Sequence, residues 1–240
     1  HRYAIHAAAP CPPAVKAAMI DWWGPILYEY YSATEANGQT VIDSAEWLAH
    51  RGSVGRPLLG EVSIRDADGA PCPPGVAGTV YLRGGAKFSY LGDAEKTRRA
   101  YLDDGFSTVG DLGYLDEDGF LYLTDRRDFT VISGGVNIYP REIEDVLLAD
   151  PRVADAAVFG LPDEEFGEQL HASIELVSGV DPAGMEAALR AHCRAQLAHL
   201  KCPKSWRFHE RLPRLPTGKL AKHGLRDEVL ASLGRAPAMP

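Results

Sequence analysis

The segment YYSATEANG at 30–38 brings an aromatic ring, a hydroxyl and a carboxylate together at the end of an apolar run. A strand that ends in small and hydroxyl residues leaves backbone amides and the Thr34 hydroxyl able to meet a phosphate. The Glu35 carboxylate could then hold the Mg²⁺ that neutralises the phosphate. The segment alone is also compatible with an ordinary turn whose glutamate faces solvent.

A second pair of polar residues flanks a predicted β-hairpin. Apolar runs at 112–115 and 120–123 surround the turn residues DEDG, with Asp111 before the first strand and Arg126 after the second. A carboxylate can accept hydrogen bonds from both hydroxyls of a ribose at once, so Asp111 is a candidate nucleotide ligand. The alternative is that Asp111 caps a turn and Arg126 pairs at the surface.

Two further segments contain glycine beside polar residues. In ISGGVNIYP, Gly134 and Gly135 follow a β-rich run and mark either a sharp turn or the close approach of a ligand. In LPTGKLAK, Lys219 follows a Thr-Gly turn, and its surroundings do not match a phosphate-binding Walker loop. A solvated lysine is the alternative for Lys219, and we expect Lys222 to be solvated as well.

The elements that must position these residues form two groups. Before residue 127 the pattern predicts a strand at 2–6, a helix opened by Pro12 and Pro13, a buried strand at 26–31, and alternating strands at 61–65 and 79–83. After residue 129 it predicts a helix near Pro140, strands at 153–159 and 170–177, and a last helix from about Lys222 to Leu233.

One helix of the second group has well-defined sequence signals. Asp181 is its predicted N-cap and Pro182 its predicted first residue. An apolar stripe follows at helical spacing, formed by Met185, Leu189, Cys193 and Leu197.

In their order and spacing, YSATE, the GD…DRRD pair, SGGVNIYP and PTGK resemble the carboxyl-terminal half of adenylate-forming enzymes of the AMP-binding superfamily. Acyl-CoA synthetases and fatty-acid–CoA ligases are the most similar group. The resemblance implies that Tyr31 stacks on adenine and that Thr34 and Glu35 serve the phosphates and Mg²⁺. It also implies that Asp111 and Arg126 contact ribose. One departure is Asp125, where many relatives have glycine before the arginine.

The resemblance also assigns roles to the second group of elements. It implies that Asp128 is a hinge, that Lys219 is a catalytic residue of adenylation, and that the segment formed by Ser133, Gly134 and Gly135 lines the path of CoA. The segment AIHAAAP is similar to the family's acyl pocket. That similarity makes His6 and Ala8 candidate acyl-contacting residues, with space beside them for a bulky or long acid.

The implied fold is α/β: residues 1–127 complete a large AMP-binding domain, and residues 128–240 form a small α+β lid. The implied enzyme is an acid–thiol ligase that uses ATP, Mg²⁺ and CoA to convert a carboxylic acid, fatty or aryl, into its CoA thioester. The family's phosphate-gripping loop would precede His1, so we expect this chain alone to be inactive without the amino-terminal half. The alternatives are a non-catalytic nucleotide- or CoA-binding fragment and an adenylation enzyme that loads a carrier protein.

Composition excludes other classes of protein. A net charge of −8 over 240 residues argues against nucleic-acid binding, which needs a basic face. No apolar run is long enough for a transmembrane segment. The four cysteines have neither zinc-site nor disulfide-framework spacing, and scattered thiols favour a cytoplasmic location.

Overall fold

The computed structural model describes residues 1–216 and 218–234. The chain divides into two compact units, the first covering His1–Asp128 and the second beginning at Phe129. Both units combine helices with β-sheets, which confirms the predicted α/β class. The assignment of 1–127 as the carboxyl-terminal portion of a large AMP-binding domain and of 128–240 as a small mobile lid domain stays a prediction. No helix in the described part of the chain is long and apolar enough to cross a membrane.

The first sheet of the first unit has the strand order β1-β2-β3-β4. Its strands are β1 (Ala4–His6), β2 (Leu27–Ser32), β3 (Gln39–Asp43) and β4 (Arg56–Leu59). Helix α1 (Pro13–Trp23) connects β1 to its parallel neighbour β2, and the other pairs are antiparallel. Helix α2 (Ser44–Ala49) begins with a reciprocal capping box between Asp43 and Glu46. The core of this region consists of Ile20, Leu27, Ile42, Trp47 and Phe120.

The second sheet of the first unit is an antiparallel meander. Its strands are β5 (Glu61–Arg65), β6 (Gly78–Arg83), β7 (Asp111–Leu115) and β8 (Leu121–Arg126), with helix α3 (Ala94–Arg99) between β6 and β7. The predicted hairpin is confirmed, and its strands include the polar residues that were expected to flank it. Asp111 and Arg126 are direct cross-strand partners, so the register of this hairpin places them side by side.

The second unit is built on a five-stranded sheet with helices on both faces. The strands are β9 (Val131–Ser133), β10 (Val136–Ile138), β11 (Val153–Asp163), β12 (Gly167–Leu176) and β13 (Ser205–His209). The helices are α4 (Pro140–Leu148), α5 (Met185–Gln196) and α6 (Lys222–Ser232). Along β11, Ala156 and Val158 join the core under α4 and α5, whereas Ala157 and Phe159 join the core under α6. This alternation is what a strand covered on both faces requires.

The predicted start of α5 was wrong. The helix begins at Met185, with Gly184 as its N-cap. The Asp181 side chain instead accepts a hydrogen bond from the backbone N–H of Ala183 at 2.9 Å. Because this short-range bond closes a turn before the helix begins, Asp181 is not available as the cap. The apolar stripe is confirmed: its first three members are buried and Leu197 packs against the same core.

The expectation that Lys222 is solvated was also wrong. Its Nζ lies 2.6 Å from Glu144 Oε1, and the two side chains are 11% and 7% exposed. Glu144 Oε1 also accepts a hydrogen bond from the backbone N–H of Val158 at 2.7 Å, and the Lys222 ammonium lies 5.1 Å from the centre of the Phe129 ring. A buried charge must be paired in this way because desolvation penalises it strongly. The ion pair therefore connects Lys222, the first residue of α6, to α4, and the contact with the ring connects it to Phe129, the first residue of the second unit.

A chain of polar side chains crosses the sheet of the second unit. His171 Nδ1 lies 2.8 Å from Ser205 Oγ and its Nε2 lies 3.3 Å from Ser173 Oγ, which in turn lies 3.1 Å from His209 Nε2. Burial lowers the pKa of His171 to about 4, and the nearby His209 and Arg207 act in the same direction. Burial also lowers the pKa of His209. The neutral imidazole provides one donor and one acceptor, which the neighbouring hydroxyls satisfy.

We expect this network to make stability depend on pH. The unfolded state binds a proton on residue 171 near pH 6.5 and the folded state near pH 4. The contribution of neutral His171 is therefore complete above pH 6.5 and is lost as the pH falls to 4, by about 3 kcal/mol. Urea unfolding at pH 7 and pH 4, for the wild type and His171→Asn, measures it. The wild type should lose more free energy of unfolding than the variant, and equal losses would contradict the assignment.

Candidate active site

Three of the predicted nucleotide-binding residues meet in the first unit. Asp111 opens β7 and is only 6% exposed. Its Oδ1 accepts a hydrogen bond from Arg126 Nε at 2.9 Å, and its Oδ2 accepts one from the Tyr31 hydroxyl at 2.5 Å. Tyr31 belongs to β2 in the first sheet, whereas Asp111 and Arg126 belong to the second. The contact therefore joins the two sheets.

The electrostatics of this cluster keep the Tyr31 hydroxyl protonated, as a donor to the Asp111 carboxylate. Burial, followed by the charge of Asp111, raises the pKa of Tyr31 well above its usual 10. The Tyr31 phenol therefore remains a hydrogen-bond donor over the whole physiological range. The Arg126 side chain is half exposed and neutralises the carboxylate from the open side. Because each carboxylate oxygen can accept more than one hydrogen bond, Asp111 can still receive the two hydroxyls of a ribose.

Thr34 and Glu35 lie in a tightly closed loop after β2. The N–H of Ala36 donates to the carbonyl of Ala33 at 3.0 Å, and the Ser32 hydroxyl donates to the carbonyl of Gly38 at 2.8 Å. Ala36 itself has a φ of 52°, in the left-handed region. Thr34 is exposed and Glu35 is half buried, so the hydroxyl and the carboxylate are both displayed at the end of the strand.

A second loop supports this one from outside the predicted motif. The N–H of Ala86 donates to the carbonyl of Ala36 at 2.8 Å. A Cβ on Gly85 would lie 2.3 Å from the backbone carbon of Asn37, so only glycine permits this approach. The Tyr90 hydroxyl donates to Glu35 Oε1 at 3.0 Å. Sequence analysis did not identify Tyr90, because no spacing pattern connects residues so far apart in the chain.

The residues around Glu35 fit one kind of metal site and exclude another. Within residues 1–216 and 218–234, no group of three or more His, Cys, Asp and Glu side chains gathers to form a protein-only metal site. Mg²⁺ is commonly held by one or two carboxylates together with phosphate oxygens and water. A single half-buried carboxylate beside the Thr34 hydroxyl therefore fits Mg²⁺ that arrives with a phosphate ligand.

The predicted acyl-pocket residues lie at the end of β1. His6 is half buried, with Nε2 3.7 Å from Glu29 Oε2, and burial lowers its pKa. Glu29 is also paired with the buried Lys16 at 2.5 Å. Ala8 is exposed and has a φ of 72°. In the described chain, Ala8 and Ala36 are the non-glycine residues with positive φ, and both lie in segments predicted to contact substrate. Such strain is concentrated at functional sites in proteins.

The segment with the predicted CoA contacts is a hairpin in the second unit. Ser133 pairs with Val136 across a two-residue turn formed by Gly134 and Gly135. These glycines have φ values of 58° and 79°, as a type I′ turn requires. The turn explains the two glycines structurally, and Ser133 is buried. A role in CoA binding stays a prediction for all three residues.

Lys219 lies on an exposed turn of the second unit. The N–H of Leu215 donates to its carbonyl at 2.8 Å, and Arg214 holds the carbonyl of Gly218 at 2.6 Å. Thr217 of the same motif lies outside the described residues. Asp128 belongs to the 3₁₀ turn Arg127–Phe129 at the end of the first unit, and its side chain is not described. The catalytic and hinge roles remain predictions.

The contact between Tyr31 and Asp111 generates a test of the site's architecture. Tyr31→Phe removes a hydrogen bond to a buried charge, so the free energy of unfolding should fall by roughly 1.5–3 kcal/mol. Tyr30→Phe is the matched control, because Tyr30 lies beside it in β2 and is exposed. Its effect should be within about 0.5 kcal/mol. Equal effects of the two substitutions in urea unfolding would argue against the contact.

Comparisons with known proteins identify the family to which the chain belongs. Residues 1–89 match the family model "AMP-binding enzyme", and residues 142–219 match "AMP-binding enzyme C-terminal domain". The 2-succinylbenzoate–CoA ligase of Bacillus cereus is 37% identical over 230 residues, which are 95% of this chain and 46% of that protein. The chain thus spans about half the length of the curated relatives it matches.

Solved structures show the same fold. The amide bond synthetase McbA from Marinactinospora thermotolerans has a TM-score of 0.84 at 32% identity, over 95% of this chain and 46% of its own. The o-succinylbenzoate CoA synthetase of Bacillus subtilis, in complex with its acyl-adenylate intermediate, has a TM-score of 0.82 at 33% identity, over 93% and 45%. The same enzyme with ATP and a magnesium ion gives 0.80. The chain therefore belongs to the AMP-binding enzyme family and includes that family's C-terminal domain, as the four sequence segments indicated.

Proposed function

We propose that the chain is part of an acyl-CoA synthetase, an acid–thiol ligase. In the first half-reaction, a carboxylic acid and ATP give acyl-AMP and pyrophosphate; in the second, CoA displaces AMP to form the thioester. The observation that carries the proposal is that Tyr31 and Arg126 both donate hydrogen bonds to the buried carboxylate of Asp111. The similarity to enzymes solved with ATP and with an acyl-adenylate supports the same chemistry.

The proposed nucleotide contacts follow from the chemistry of this cluster. Asp111 accepts hydrogen bonds from the two ribose hydroxyls, and charge-assisted bonds of this kind are roughly twice as strong as neutral ones. Arg126 contacts the same ribose, and the Tyr31 ring stacks on adenine. Because Tyr31 and Arg126 already orient the carboxylate, the nucleotide does not have to order it on binding.

Thr34 and Glu35 serve the phosphates in this proposal. The Thr34 hydroxyl donates to a phosphate oxygen, and Glu35 is the carboxylate ligand of Mg²⁺. When bound, Mg²⁺ neutralises phosphate charge and so favours attack by a negatively charged acid. The closed loop after β2 holds both side chains at the end of the strand.

The second unit supplies the remaining proposed groups. A carboxylate is a poor electrophile, and conversion to the mixed anhydride with AMP gives it a good leaving group. In the transition state of that conversion the carboxylate oxygen bonds to the α-phosphorus as pyrophosphate leaves, and the Lys219 ammonium stabilises the negative charge shared by the carboxylate and the α-phosphate. Rotation about Asp128 withdraws Lys219 after adenylation and brings the turn at Ser133, Gly134 and Gly135 to the thiol. Rotations of this kind often limit turnover.

The proposed acid is a fatty or aryl carboxylic acid that contacts His6 and Ala8. The similarity to relatives named for succinylbenzoate supports an aryl acid as the substrate. A fatty acid, and with it a place in fatty acid metabolism, rests on the sequence resemblance alone. The free cysteines of the described chain suit a reducing compartment, and we place the enzyme in the cytoplasm.

A second acceptor must be tested beside CoA. The similarity to an amide bond synthetase makes an amine a second candidate acceptor. Supplying the intact enzyme with acyl-AMP and, separately, with CoA, a simple amine or a phosphopantetheinyl carrier protein distinguishes the three. The proposal expects CoA to react fastest by a wide margin, and faster transfer to the amine or the carrier protein would overturn it.

Lys219→Ala in the intact enzyme tests the division of labour between the half-reactions. Loss of a preorganised donor should lower ATP–pyrophosphate exchange by about 10²–10³-fold. Thioester formation from supplied acyl-AMP should remain within a few-fold of wild type. Lys201→Ala is the control, since Lys201 is a partly exposed lysine of the same unit that pairs with Glu142. Equal loss of both half-reactions in Lys219→Ala would contradict the rotation.

A further inference from the structure

Glu35 has a partner that lies outside every sequence motif. The Tyr90 hydroxyl donates to Glu35 Oε1 at 3.0 Å, which joins the loop after β2 to the loop before α3. Both side chains are half buried. In this pair the phenol O–H is the donor and the carboxylate oxygen is the acceptor.

Tyr90 is itself held on several sides. Its backbone N–H donates to Thr97 Oγ1 at 2.8 Å. The Thr97 hydroxyl in turn donates to the carbonyl of Asp93 at 2.9 Å. The Lys96 ammonium lies 4.4 Å from the centre of its ring, and the Phe88 ring packs edge-on at 5.4 Å. The first turn of α3 and its cap thus fix the position of the phenol.

A fixed donor changes what Glu35 can do. A free glutamate loses roughly 1.5–2 kcal/mol of rotamer entropy when it is ordered. Here the hydrogen bond orders the side chain within the folded protein, before any ligand arrives. The donor engages Oε1, so it also sets the direction in which Oε2 is presented. Carboxylates that bind metal ions are commonly oriented by such a second hydrogen bond.

We propose that Tyr90 is a positioning residue for the metal ligand Glu35, holding its carboxylate in the orientation that binds Mg²⁺ together with the ATP phosphates. This inference rests on the proposed function of Glu35 and extends it to a residue that acts only through Glu35. The competing explanation is that the hydroxyl merely joins two loops. A joining role would change stability but not the affinity for a metal ion.

The test compares three variants of the intact enzyme. Tyr90→Phe removes the donor, and Glu35→Gln removes the metal-binding charge. Tyr122→Phe removes a hydroxyl whose pKa is raised by burial and by another carboxylate of the same unit, Asp116, and serves as the control. Electron paramagnetic resonance of free Mn²⁺, titrated with ATP alone and with ATP plus each variant, gives the metal affinity of the enzyme complex without reference to activity, because the first titration corrects for the Mn²⁺ that ATP binds in solution. The Mg²⁺ dependence of pyrophosphate exchange gives the kinetic counterpart.

Tyr90→Phe should weaken Mn²⁺ binding by roughly 10–100-fold, as loss of a hydrogen bond to a metal ligand typically does. Saturating Mg²⁺ should restore the exchange rate, and thioester formation from acyl-AMP should not change. Tyr122→Phe should bind Mn²⁺ like the wild type. Unchanged affinity in Tyr90→Phe with weakened affinity in Glu35→Gln would overturn this inference and leave the proposed function standing. Unchanged affinity in Glu35→Gln would overturn the metal role of Glu35, and this inference with it.

Discussion

The buried carboxylate of Asp111 is the constraint on which the first unit's site depends. A carboxylate that is only 6% exposed must be paired, because an unpaired buried charge would cost several kcal/mol. The pairing draws on two sheets: β2 provides the Tyr31 hydroxyl and β8 provides the Arg126 guanidinium. Stability and the proposed recognition of ribose therefore require the same geometry. If the two sheets shifted against each other, the carboxylate would lose its partner and the proposed ribose site its shape.

The same junction explains why the loop after β2 can present polar groups rigidly. β2 is fixed through Tyr31, and the loop that follows closes on itself and is supported by the segment around Gly85. The closed loop requires Ala36 to adopt a strained left-handed backbone conformation. In the second unit, other features fix the polar segments: a type I′ turn at Gly134 and Gly135, and a buried ion pair at the first residue of α6. In both units, rigid elements hold short polar loops.

The sequence predicted those structural features that depend on short-range patterns. The turn residues DEDG between apolar runs predicted the hairpin, and its register then places Asp111 opposite Arg126. Patterns failed where the deciding partner is distant: nothing in the sequence near Lys222 indicates Glu144, and nothing near Tyr90 indicates Glu35. The start of α5 was missed because Asp181 bonds locally instead of capping the helix. The family was identified from the order of four motifs, none of which would suffice alone.

We propose that the Asp111 carboxylate recognises a nucleotide by accepting hydrogen bonds from its ribose hydroxyls. Isothermal titration of the intact enzyme with AMP and with 2′,3′-dideoxy-AMP tests this role, because the two ligands differ only in the hydroxyls that Asp111 would bind. Two hydrogen bonds to a charged group at roughly 1.5–3 kcal/mol each predict at least about 10²-fold weaker binding of the dideoxy ligand. The difference should largely disappear in Asp111→Ala. Equal affinity of the wild type for the two ligands would rule out this role of Asp111.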